Sequence, residues 1–217
     1  MSAQSTILLA ILLPLAGAVG IALAGRVSAN ARETVTLVTA GGLALTVWSL
    51  LPSVMAGGRP AVTVTELLPG VELAFRVEPL GMLFAALASG LWIVNSLYSI
   101  GYMRGNNEKH QTRFYVMFAV SLAATMGVAF AGNLITLFLF YEMLTLSTYP
   151  LVSHKGDANT VRSARVYLGI LLTTSIGLFL PAIIWTYTVA GGGDFVAGGI
   201  LAGHVEGPAI GLLLGLF

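Results

Sequence analysis

Leu134-Ile135-Thr136-Leu137-Phe138-Leu139-Phe140-Tyr141-Glu142-Met143-Leu144-Thr145-Leu146-Ser147-Thr148-Tyr149-Pro150-Leu151-Val152 is the stretch on which the reading of this chain turns. As a helix it is long enough to cross a hydrocarbon core of roughly 30 Å. It carries one charge, Glu142, close to the middle of the run. A carboxylate near the bilayer centre costs about 2.5–3.5 kcal/mol on insertion scales. A free-standing helix would not keep it without compensation. The group must be protonated, paired or turned to a polar cavity, and a carboxyl held between burial and a partner can exchange protons.

The neighbouring residues supply a polar face. Thr145 and Tyr149 lie at i+3 and i+7 from Glu142, on its side of the helix. Pro150 has no N–H to offer the carbonyl of Leu146. The next apolar run brings Thr173, Thr174 and Ser175 together and then Pro181, which frees the carbonyl of Gly177. The alternative for Glu142 is a protonated contact that only glues helices. Asn95, in another run, is a weaker candidate, because amides at such places commonly serve packing. His154 and Lys155 follow Val152 directly. They read either as a basic anchor or as a proton relay that uses a side chain titrating near neutrality.

Outward from this run the rest of the chain has the same character. Of 217 residues, 57% are hydrophobic and 9% are charged, against about 25% charged in soluble domains. The expected class is an all-α polytopic membrane protein. Six runs of membrane-spanning length are read at Thr6–Ala24, Thr34–Val54, Leu80–Tyr102, Phe114–Ala131, Leu134–Val152 and Tyr167–Ala190. Helix is required because lipid offers backbone polar groups no partner. Apart from Glu142, the acidic and basic residues fall in loops or within about a turn of a run's end.

Several chemistries are excluded. With no cysteine there is no disulfide, iron–sulfur cluster or thiolate zinc site. His110, His154 and His204 lie outside the apolar runs, which argues against haem, and no metal or other cofactor is expected. A net charge of +1 excludes a nucleic-acid-binding surface. The Gly-rich Ala190-Gly191-Gly192-Gly193-Asp194 follows a membrane run rather than a strand and reads as a loop. An intramembrane hydrolase fits poorly, since no paired aspartates, Ser/His set or HExxH are present.

Orientation follows from basic residues. Arg26, Arg32, Arg104, Lys109, Arg113, Lys155, Arg162 and Arg165 fall on one side, and only Arg59 and Arg76 on the other. The positive-inside rule then places the first side in the cytoplasm and the N-terminus outside, in the cell's inner (cytoplasmic) membrane. No basic residue precedes the first run, so a cleaved signal peptide is not expected. Between the second and third runs, Val71, Leu73, Phe75 and Val77 alternate with Glu72, Ala74, Arg76 and Glu78. With the Val/Thr-rich stretch before Pro69-Gly70, this predicts an external β-hairpin within about residues 57–78. A seventh apolar run starts at Pro208 and stops at Phe217. It spans only about half a bilayer, and the expectation is that this is the N-terminal part of a longer or split protein.

Several motifs occur in an order that resembles a known family. They are Phe75-Arg76-Val77-Glu78-Pro79-Leu80-Gly81-Met82-Leu83-Phe84, Leu97-Tyr98-Ser99-Ile100-Gly101-Tyr102-Met103, Arg113-Phe114-Tyr115, and Gly132-Asn133-Leu134 through Glu142. Together they resemble the antiporter-like membrane subunits shared by Mrp cation/proton antiporters, membrane-bound hydrogenases and respiratory complex I. The stretch Tyr141–Val152 looks closer to the D-type subunits of Mrp antiporters and to hydrogenase-type members than to complex I. The resemblance implies two inverted helical repeats, with residues 1–113 a leading three-helix region and 114–217 the start of the first repeat. It implies that Glu142 matches the family's fifth-helix glutamate, which handles protons opposite a lysine on a broken seventh helix. No lysine follows Lys155 here. The function implied is a proton-translocating subunit of a multisubunit complex, with other membrane subunits, protons, Na⁺ or K⁺, and the lipid bilayer as partners. The alternative is a non-transporting subunit that docks its neighbours.

Overall fold

Residues 2–216 are described by a computed structural model, and six helical segments among them are long and apolar enough to cross a membrane. The first is α1 (Ala3–Ala24). The second, α2 (Ala29–Trp48), continues into a short α3 (Leu51–Met55). Next come α4 (Pro79–Gly105), α5 (Gln111–Ala129) and α6 (Leu134–Val152). The sixth is α7 (Ala158–Thr174), a π-helical turn (Ser175–Phe179) and α8 (Leu180–Ala190). The seventh run forms α9 (Pro208–Leu216), and its last residue, Phe217, lies outside the described residues.

Two spans begin earlier than hydropathy suggests, and local capping explains both. Ser28 caps α2 by accepting the Ala31 N–H at 3.0 Å, which draws Arg32 and Glu33 into the helix. Asp157 caps α7 by accepting the Thr160 N–H at 2.9 Å, which draws in Arg162 and Arg165. The π turn sits where Pro181 withholds a donor from the helical ladder. There the Leu180 N–H reaches back five residues to the carbonyl of Ser175.

Helices pack here through close contact, because lipid removes most of the hydrophobic drive between them. α5 is the hub, with extensive faces on α1 and α6, while α2 joins α1 to α4. Two glycines set the approach distances. A Cβ at Gly127 on α5 would collide with the ring of Phe140 on α6, and one at Gly81 on α4 would collide with the carbonyl of Ala129. The first core gathers Ile7, Leu43, Trp92, Met126 and Phe130, and a smaller one gathers Leu134, Phe138 and Ile183.

The expected hairpin is present between the second and third spans. β1 (Ala61–Leu68) and β2 (Val71–Arg76) pair antiparallel, with register irregularities between Thr63 and Thr65 and between Glu66 and Leu68. The alternation in β2 is meaningful, since Phe75 is buried whereas Glu72 is exposed. A lone hairpin is marginal, and this one is tied to the α5–α6 turn. Arg76 N–H donates to the carbonyl of Phe130 at 2.7 Å, and Gly132 N–H to that of Ala74 at 2.9 Å. The loop after α8 joins the same knot, with Leu134 N–H on the carbonyl of Gly193 at 3.0 Å and the Arg76 guanidinium on that of Phe195 at 3.0 Å.

Candidate functional site

α6 is fastened at the hairpin end before it enters the bundle. Asn133 is its N-cap, with the side-chain oxygen accepting the Thr136 N–H at 2.8 Å while the amide donates to the carbonyl of Glu72 at 2.8 Å. The Thr136 hydroxyl accepts the Ala74 N–H at 3.1 Å. Phe140, one turn further on, packs edge-on against Phe75 with centroids 5.4 Å apart. Further along, the hydroxyls of Ser147 on α6 and Ser121 on α5 share a hydrogen bond of 2.8 Å. These ties fix the axial position of α6 on both sides of Glu142.

Glu142 sits between those ties. The side chain is half-buried, and its Oε1 is shut off from solvent with no hydrogen-bond partner. Buried acceptors are nearly always paired, so an orphaned carboxyl oxygen at this depth marks a place that needs a proton, water or a further side chain. Thr145 is buried one turn away, and Tyr149 is half-buried on the same stripe. One turn in the other direction, Phe138 packs on Phe179 of the π turn at 5.9 Å.

The other expected residues are placed differently. Thr173 and Thr174 are exposed, and the Thr174 hydroxyl is spent on the carbonyl of Ile170 at 2.8 Å, so no hydrogen bond joins either to Glu142. Their neighbour Ser175 is the buried member of the trio. His154 packs edge-on to Phe114 at 5.6 Å, and its carbonyl accepts from the Arg113 guanidinium at 3.0 Å. Both its ring nitrogens are buried without a well-formed hydrogen bond, and the backbone of Lys109 is close enough to interact with the ring. Burial, and then the Arg113 cation, hold its pKa below the ordinary histidine value, opposed by Glu108. Lys155 is exposed.

Glu142 is not the only charge withdrawn from solvent. At the end of the bundle opposite the hairpin, Arg32 and Glu33 are each less than a tenth exposed. Arg104 grips Glu33 with two donors, Nε to Oε1 at 3.0 Å and Nη2 to Oε2, and Arg32 adds a third at 3.0 Å. Arg32 also donates to Gln111 Oε1 at 2.7 Å and lies 5.1 Å from the centre of the Tyr115 ring. Hydropathy misses this cluster because it puts Arg32 in a loop. Ser28, a strong N-cap residue just before it, is the signal that could have found it.

Taken together, the fold and the orphaned carboxyl define a multi-pass helical membrane protein with an ionisable group held near mid-span. Residues 131–209 match the family described as NADH:quinone oxidoreductase/Mrp antiporter, TM. The chain belongs to the antiporter-like membrane subunit family. It is 33% identical over 98 residues to the A1 subunit of a Na(+)/H(+) antiporter of Staphylococcus aureus, covering 45% of this chain and 12% of that protein. It is 30% identical over 152 residues to the A/B subunit of a probable K(+)/H(+) antiporter of Rhizobium meliloti, covering 68% of this chain and 14% of that protein. It thus spans well under a fifth of the length of these curated relatives. Its fold recurs in the Mrp complex from Dietzia sp. DQ12-45-1b, with TM-score 0.77 at 20% identity over 97% of this chain and 23% of that one. It recurs also in the archaeal membrane-bound sulfane sulfur reductase, with TM-score 0.76 at 16% identity over 97% of this chain and 42% of that one.

Proposed function

We propose that this chain is a proton-translocating subunit, or the N-terminal part of one, of a multisubunit cation/proton antiporter or respiratory-type membrane complex. Glu142 is the group that takes up and releases the proton. The observation that carries this reading is its buried Oε1, without a partner, on a helix fixed at both ends. A carboxyl in that setting gains from each protonation state only what its surroundings supply, so a transient water or cation can tip it. Thr145 and Tyr149 line the same stripe, and Thr173 and Thr174 would contribute through water rather than by direct bonds. His154 and Lys155 would pass protons at the far end of α6. An imidazole without a well-formed hydrogen bond on either nitrogen is free to accept and release one there.

The basic asymmetry supports an N-terminus outside, an external hairpin, and the Arg104 and Lys155 loops in the cytoplasm. The natural setting is then the cytoplasmic membrane. Residues 1–113 would be a leading three-helix region and residues 114–217 the start of the first inverted repeat. The names of the relatives include both Na⁺ and K⁺ as exchanged cations, and these relatives are of the A1 and A/B types. Assignment to the D type rests on the stretch Tyr141–Val152 alone.

The test uses vesicles carrying the whole complex, with cation-driven proton flux normalised to the amount of assembled complex. Glu142→Gln keeps shape and should lower flux by about 10²-fold, the scale of losing a positioned acid–base group. Glu142→Asp keeps the carboxyl and should retain more. Flux in the Gln variant equal to wild type would overturn the assignment.

A further inference from the structure

Asn95 is a second polar group held at membrane depth, and the chain leaves it unprovided for. α4 has 27 residues, about 40 Å of helix, and Asn95 lies roughly 15 Å from its Gly105 end. That places the amide about 5 Å from the helix midpoint, well inside a hydrocarbon core of roughly 30 Å. It is half-buried, and among the described residues it has no hydrogen-bond partner. It lines a groove of about 350 Å³, whose other walls are Ala88, Leu91, Trp92, Phe118, Leu122 and Thr125. Thr125 offers the amide no proton, because its hydroxyl donates to the carbonyl of Ser121 at 2.8 Å.

An amide brings two donors and an acceptor. An acyl chain in the groove would leave all of them unmet, which is costly in hydrocarbon. The occupant therefore has to combine an apolar body with a hydrogen-bonding group at one depth. A transmembrane helix with a Ser, Thr, Asn or Gln side chain does so, since such side chains bond across helices. The flank of α4 beside the groove suits a helix. Leu87, Leu91, Val94 and Tyr98 recur along it at helical spacing and are all exposed. The stacked, exposed rings of Tyr98 and Tyr102, 6.1 Å apart, close the seam toward the basic end, where aromatic side chains mark the membrane interface. α4 packs on α2, α3 and α5, whereas α9, the last described helix, packs on α8. The fold recurs in chains of multisubunit membrane complexes.

We propose that the α4–α5 groove is the docking seam for a transmembrane helix of a neighbouring subunit, which brings a neutral hydrogen-bonding side chain to Asn95. This inference rests on the family assignment and not on the role of Glu142. The experiment places a photo-crosslinking residue at Leu91 in the full complex and, separately, makes Asn95→Leu and Asn95→Gln. Crosslinking should yield an adduct with a second polypeptide of the complex. Asn95→Leu should lower recovered complex roughly threefold or more, the worth of one interhelical hydrogen bond. Gln should restore much of it, and proton flux per assembled complex should be unchanged in both. Three results would each overturn the proposal: adducts with lipid only, a crosslink within the same polypeptide, or Asn95→Leu assembling as well as wild type. A flux defect in Glu142→Gln bears on the transport reading alone, so the two can fail separately.

Discussion

Glu33 and Glu142 are both carboxylates withdrawn into a helical bundle, and the chain treats them in opposite ways. Glu33 receives donors from two guanidinium groups, and Arg32 is itself held by Gln111 and stacked on Tyr115. Glu142 has a buried oxygen with no partner and is surrounded by helices that are tied down above and below it. A carboxylate gripped by two guanidinium groups works as a clamp between helices. A carboxyl that lacks a partner is held open to change. The first kind fastens α2, α4 and α5 at one end of the bundle, and the second kind is the group proposed above to carry the proton.

The sharpest break in that comparison is expected from Glu33→Gln. It leaves Arg32 buried beside Arg104 without their shared anion. Losing one partner of a buried pair costs about 3–5 kcal/mol, and half-exposure of Arg104 keeps the effect at the low end of that range. Thermal unfolding of the complex in detergent should fall accordingly, while proton flux per folded complex stays near wild type. A smaller loss is expected at the other anchor. Asn133→Ala removes an N-cap and the bond to Glu72, together about 2 kcal/mol. It should also reduce flux, because α6 loses its fixed depth, and unchanged flux would separate the knot from the site.

Smaller still is the stability change for Glu142→Gln, within about 0.5 kcal/mol, because no existing bond is lost. A large destabilisation would mean that Glu142 is gripped as Glu33 is. The smallest effect concerns pH. His154 has a lowered pKa in the fold, so the unfolded chain binds the proton more readily. Stability from this group is complete above the unfolded value near 6.5 and declines as pH falls below it toward the folded pKa. Melting curves of His154→Gln should lack this shallow acid-side slope, and an unaltered slope would assign it to another group.

How much of this is legible in the sequence differs from one region to another. The hairpin can be read from the alternation Val71, Leu73, Phe75, Val77 around Pro69-Gly70, since side-chain period and turn chemistry are local. The depth of Glu142 follows from its place within an apolar run. The irregular helix near Pro181 is half legible, because the missing N–H is a property of one residue, whereas its resolution into a π turn is a property of the ladder. Thr173 and Thr174 are expected beside Glu142, and they face outward, because adjacency in sequence does not fix how α7 turns against α6.

The sequence by itself therefore determined the class of protein, the spans, the hairpin and the depth of the mid-span carboxyl. Each follows from hydropathy, period or capping summed over neighbouring residues. Only the tertiary structure decided which buried charges have partners. Glu33 meets Arg104 across 71 positions of chain, and Asn133 meets Glu72 across 61. The physical reason is that the cost of burying a charge depends on depth, which is a local property of a helix, while its relief depends on which side chains the packed helices bring within about 3 Å.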